Sequence, residues 1–308
     1  METKELKKLA CDTNVTEIIK RLKNDEDQAL YQKYYNRFIN KSKEDYLDNP
    51  LLNDILNTYC DYYRNVFYNK VDNEESIGIL ANDLSKLLNI ESNTSISDIE
   101  DIVEKKFNDH GYNFRGGTTS IYYGPYIWKS TKKVEYDVKI VEGEMKLPIY
   151  FMHDFIHNSW LQFLSFNLVA TGGWSTNEGL HCVYERYEKD IESPKFQISF
   201  LKHEAQHNKD YQNKEWNFTV PVLEYRAKLC ELHYYPDESK LEDFINTANK
   251  DSSHMHSQAE YWVINDLSKA IFNCEFVEDI NIWKNKYEDV RRVAKELLLT
   301  YNRGTRNI

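Results

Sequence analysis

His203-Glu204-Ala205-Gln206-His207 is the stretch that decides how the rest of this 308-residue chain is read. On a helix, residues four apart project from one face, one turn apart, so the two imidazoles can converge on a common point. Zinc takes nitrogen ligands at about 2.0–2.1 Å in a tetrahedral array, and histidines at this spacing supply two of them. Glu204 stands where its carboxylate can reach a water on the metal without binding the metal itself. From the chain's own histidine and glutamate frequencies, roughly 0.02 chance matches to this pattern are expected. The preceding Phe196-Gln197-Ile198-Ser199-Phe200-Leu201 is largely apolar, which places the helix inside. Buried histidines without partners are costly, and this weighs against two solvated histidines on a polar surface.

A zinc site that does chemistry uses three protein ligands and leaves one position for water. Glu224 is the best third candidate, 17 residues past His207 (224 − 207) in Pro221-Val222-Leu223-Glu224-Tyr225-Arg226-Ala227-Lys228-Leu229. A helix returning past the first one can present this carboxylate. The plainer alternative is a surface glutamate stabilising a helix N-terminus. Glu231 and His233, further along the same segment, are the runners-up. Glu231 lies two turns beyond Glu224 and can instead stand behind a ligand as its hydrogen-bond partner.

Outward from the motif, the chain divides by pattern. Residues 14–109 read as amphipathic helices, among them Leu51–Tyr68 and Ile77–Leu88, with Gly78 as the one glycine. Ser95 and Ser97 followed by Asp98, Glu100 and Asp101 mark a helix start. After Gly116-Gly117 the residues turn β-branched and aromatic, and the alternation of Val134–Ile140 with a turn at Gly143 predicts a small mixed or antiparallel sheet. A short helix is expected around Asp154–Phe166, and a further strand at Leu180–Tyr184. Ser193-Pro194 starts a helix running to about Asp210, and Thr219 with Pro221 starts a second ending near Pro236. Helices at Leu241–Asn249, His256–Phe272 and Ile282–Tyr301 complete an α+β protein, mainly helical, with the sheet packed against the motif helix. The expected division is an N-terminal helical region, 1–110, and a metal-binding domain, 111–308, with its sheet in 111–185 and its helices in 194–308.

The motif with its downstream glutamate resembles the zincin metallopeptidases, and among them the gluzincin arrangement. The clear resemblance covers about His203–Leu232; more loosely, Gly172 through Leu232 is similar to a bacterial family of uncharacterised zincin-like proteins. It implies His203, His207 and Glu224 as zinc ligands, Glu204 as general base, and a peptide or protein as substrate. It also implies that an edge strand before the motif helix, here about Leu180–Tyr184, can pair with an extended substrate. Zincins commonly place a histidine or tyrosine near the developing oxyanion, which points to His256, or else His254 or Tyr261. Two departures stand out. Asp210 and Asn213 occupy the positions where a metzincin has glycine and a third histidine, and Lys228 stands where thermolysin-like gluzincins carry an aspartate. A catalytically inactive protein using the same scaffold for binding or structure is the alternative, favoured if Glu231 or His233 closes the metal shell.

Other features set limits. His153-Asp154-Phe155-Ile156-His157 repeats the histidine spacing with a shorter acid between, and is expected to be a pair of histidines near a helix start. Arg226 is expected to neutralise a buried carboxylate. The aromatic residues, including Trp160, Trp174 and Trp216, are expected in the core. A net charge of −11 lacks the basic footprint of a nucleic-acid binder. No run of about 18 apolar residues is present, so no transmembrane helix is expected. The charged Met1–Leu9 has no signal-peptide core, and five scattered cysteines read as reduced thiols of a cytoplasmic protein. Abundant Asn, Lys, Ile and Tyr point to an AT-rich bacterial genome.

Overall fold

Residues 1–213, 218–251 and 255–301 are described here in a computed structural model of the chain. Trp216 and His254 lie outside these described residues. The fold is α+β, 57% helical, with a five-stranded mixed sheet and a separate two-stranded ladder. Among the described residues no helix is long and apolar enough to cross a membrane.

The chain forms two compact units. The first comprises residues 1–130 and 153–171. Asn14, Asp27, Asn49, Asp72 and Ser95 each accept a backbone N–H of the following turn, starting helices Val15–Leu22, Gln28–Tyr34, Pro50–Tyr63, Asn73–Leu88 and Ile96–Asp109. Their apolar faces enclose Ile18, Leu22, Phe38, Leu56, Tyr59, Tyr63 and Phe107. Phe114, Ile127, Trp160 and Phe163 are buried in the same core. That burial carries the helical region past the division expected at residue 110.

The second unit comprises residues 131–152 and 172–308. The sheet strands, of which β1 and the ends of β2 and β3 belong to the first unit, are β1 (Asn113–Arg115), β2 (Tyr126–Ile140), β3 (Gly143–Asn158), β4 (Gly173–Thr176) and β5 (Gly179–Val183), in the order β1–β2–β3–β5–β4. β3 and β5 are parallel, with Ile149 opposite Leu180 and Met152 opposite Val183. Parallel strands need a crossover of a dozen residues or more, and the intervening helix, loop and hairpin supply it. β4 closes antiparallel on the other side of β5, with Gly173 opposite Cys182.

Three expectations are corrected here. Leu180–Val183 is paired on both sides, so the edge belongs to Gly173–Thr176 instead. The helix expected from Asp154 begins only at Ser159, because β3 continues to Asn158 and Ser159 breaks it with a left-handed φ of 58°. The helix expected over 194–210 is two: Pro194–Gln197, and the motif helix, Leu201–Gln212. The turn residues Ile198–Phe200 interrupt the helix between them, with φ of −117° at Ile198 and −109° at Phe200, so that Phe196, Ile198, Phe200 and Leu201 are all buried.

The helix following the motif, Val220–Tyr234, lies at the centre of this unit, and every residue from Val222 to Leu232 is buried. A helix buried all round is ordinarily apolar. This one, the glutamate helix, carries Glu224, Arg226, Lys228 and Glu231. Each charge needs a partner, and the partners build the site.

Candidate metal centre

His203 and His207 are both buried, and their Nε2 atoms approach to 3.0 Å. The glutamate helix brings Glu224 against them: Oε2 is 3.4 Å from His203 Nε2, and Oε1 is 3.4 Å from His207 Nε2. One ligand atom from each residue lies within 4.8 Å of the others, an arrangement that could hold a metal ion. Tetrahedral geometry with bonds of about 2.0–2.1 Å sets ligand atoms about 3.3 Å apart, so the observed spacings suit zinc.

The charge behind His203 is equally specific. Its Nδ1 lies 2.7 Å from Glu231 Oε1, so Nδ1–H donates there and Nε2 is left facing Glu224 and His207. Burial opposes charge on His203, but the hydrogen bonds it donates to Glu224 and Glu231 overcome it and hold the ring's pKa up at about 10. Glu231 is likewise penalised by burial, yet His203, Lys240 and Lys228 bring it down to about 2. Burial also opposes the Glu224 carboxylate, and His256, His207 and His203 hold it well below the usual range. Glu231 therefore faces the back of His203, on the ring nitrogen opposite the one beside Glu224 and His207. The Nδ1 of His233 lies on the Arg291 carbonyl at 3.0 Å.

Glu204, partly buried in the first turn of the motif helix, is held above the ordinary carboxyl range. Desolvation is the main cause, and the Glu224 charge adds to it while His207, His203 and His256 oppose it. It thus lies close enough to His203, His207 and Glu224 to feel their charges. His256 is the second residue of the helix Met255–Phe272, with Nδ1 3.0 Å from Glu224 Oε2 and its side chain 48% exposed. Its ring lies nearly parallel to that of His203, 6.4 Å away. Tyr261, on the same helix, stacks on Phe276 at 5.2 Å and not on the site.

Behind the motif helix, Arg226 donates to both Asp210 oxygens (2.9 and 3.0 Å), to Glu142 Oε2 (2.7 Å) and to the Leu298 carbonyl (3.0 Å). Gln206 ties the same two carboxylates together. Asn208 Nδ2 donates to the Thr176 carbonyl, fastening the motif helix to edge strand β4.

The second histidine pair makes no comparable site. His153 and His157 lie on β3, where four residues span roughly 13 Å, too far to share an ion. His157 directly precedes Asn158, the N-cap of the helix Ser159–Ser165, whereas His153 lies further back on the strand. His157 is buried against Tyr63, 3.3 Å from its hydroxyl, and burial with the nearby Arg37 charge pushes its pKa down to about 3.

Tyr211 was not singled out from the sequence. Its ring stacks on His207, 6.3 Å away, and is 46% exposed. Its position one turn after His207 was the available signal. Trp160 is buried as expected, and Trp174 is partly buried, stacked on His181. No known protein family, curated protein or solved structure matches the chain.

Proposed function

We propose that the chain is a zinc-dependent metallohydrolase acting on peptide bonds, with His203, His207 and Glu224 as ligands and Glu204 as general base. The observation that carries this reading is the convergence of His203, His207 and Glu224 from two buried helices, with Glu231 fixing the ring of His203. A zinc ion held there would supply Lewis-acid activation of water and of a scissile carbonyl. Glu204, held above the ordinary carboxyl range, accepts the proton of the attacking water and returns it to the leaving amine. His256, exposed beside Glu224, is positioned to donate a hydrogen bond to a substrate oxygen as charge develops on it.

Edge strand β4, fastened to the motif helix by Asn208, offers backbone groups to an extended peptide or protein substrate. The proposal includes no nucleic-acid partner, because the net charge is −11. It includes a cytoplasmic setting, favoured by an odd number of widely spaced cysteines, and no membrane attachment.

A peptide-library cleavage assay on zinc-loaded protein, run in parallel on Glu204→Gln, tests it. Glu204→Gln should keep its zinc and lose turnover by at least about a hundredfold. Full activity in that variant would remove Glu204 from the mechanism.

A further inference from the structure

Lys228 stands where an aspartate would be expected behind the metal, and it is buried on the glutamate helix one turn past Glu224. Its Nζ lies 2.8 Å from Glu260 Oε1, and the two side chains are 5% and 10% exposed. Phe244 covers the ammonium, which sits 4.5 Å from the ring centroid. Glu260 is one turn past His256 on the next helix. The spacing is the same on both sides, 228 − 224 = 4 and 260 − 256 = 4. Glu224–His256 and Lys228–Glu260 therefore form two successive rungs between the same two helices.

The rungs differ in kind. The outer one joins a candidate ligand to a half-exposed histidine. The inner one is a desolvated ion pair, which holds its geometry because breaking it would strand a buried charge. Burial opposes the Lys228 charge, but Glu260, Glu231 and Glu224 keep the ammonium protonated well into the alkaline range.

We infer that Lys228 and Glu260 are positioning residues that hold His256 over the metal centre, where it meets the oxygen of a bound substrate. This rests on the proposed zinc site, and the test separates the two. Acetohydroxamic acid, a chelating probe with an anionic oxygen, is titrated into zinc-loaded full-length protein by calorimetry. The wild type, Lys228→Met, His256→Ala and the double variant are compared, with Glu260→Gln as an isosteric second probe should Lys228→Met fold poorly.

His256→Ala is expected to weaken the probe about tenfold, the loss of one charge-assisted hydrogen bond. Lys228→Met and Glu260→Gln should cause a similar loss while zinc stoichiometry is kept. In the His256→Ala background neither should cost anything more, because their effect passes through His256. Equal losses in both backgrounds, or no loss from Lys228→Met and Glu260→Gln, would overturn the positioning role while leaving the zinc site standing. Absence of zinc uptake by the wild type would overturn the metal reading, and this inference with it.

Discussion

Arg226→Met tests how the motif helix is held from behind. The guanidinium is 1% exposed and bridges Asp210, whose side chain is fully buried, to Glu142, which keeps 16% exposure. With methionine there, Glu142 can turn towards water, but Asp210 cannot. Among the described residues, Asp210 keeps only the Gln206 amide at 3.0 Å. Removing one partner of a buried pair costs about 3–5 kcal/mol, because the remaining charge is uncompensated. That is a large share of the 5–15 kcal/mol typical of a folded domain. Burial already raises the Asp210 pKa, and Arg226 is the main influence lowering it again. Its removal therefore raises that pKa further. A carboxyl with a raised folded-state pKa costs stability where it must ionise, so the deficit of the variant should shrink as pH falls and Asp210 takes up a proton. Urea unfolding of EDTA-treated protein at pH 7.5 and pH 5.5 reads both effects. Adding Asp210→Asn to the variant should recover part of the loss at pH 7.5. A loss below about 1 kcal/mol, or a double variant no more stable than the single, would refute the claim that Asp210 depends on this guanidinium.

Glu231→Gln keeps the shape behind His203 but removes the charge that fixes its ring, so zinc affinity measured by chelator competition should fall about 10–100-fold. An unchanged affinity would show that the 2.7 Å contact does not orient the ligand. Zinc must displace the proton that His203 otherwise holds up to about pH 10, so affinity should climb close to tenfold per pH unit between about pH 6.5 and pH 9. Calorimetry in buffers of different ionisation enthalpy should show that proton released at pH 7.5, and no release would contradict the assignment. In zinc-free protein the same raised pKa gives stability fully present below 6.5 and lost as pH rises through about 10. The depressed Glu231 pKa gives stability present above 4.5 and lost as pH falls towards about 2, so acid and alkaline urea midpoints should both drop.

The parts of the site written in local spacing were legible in the sequence. A turn of helix separates His203 from His207 whatever surrounds it, and Asn14, Asp27, Asn49, Asp72 and Ser95 cap helices through bonds made within a few residues. Glu224 was reachable because one short connection joins its helix to the motif. What stayed hidden depends on contacts distant in sequence. Leu180–Val183 has the same alternation whether it is an edge or an interior strand, and only its pairing with β3 decides. The glutamate helix shows no apolar stripe because it is buried all round, so its charges resemble those of a surface helix until their partners are known. Lys228 finds Glu260 32 residues on, and Arg226 finds Glu142 84 residues back, separations that no periodicity encodes. The break at Ile198–Phe200 lets Ile198, which a continuous helix would turn away from the face shared by Phe196 and Phe200, be buried with them.

Zinc content of purified, dialysed protein, combined with zinc-edge X-ray absorption, addresses the metal centre most directly. One zinc per chain is expected, with two nitrogen ligands and carboxylate oxygen at about 2.0–2.2 Å and no sulfur. His203→Ala and His207→Ala should each lose it, and Glu224→Ala should hold it far more weakly. A wild-type protein that retains no zinc, or one whose zinc survives His207→Ala, would contradict the assignment.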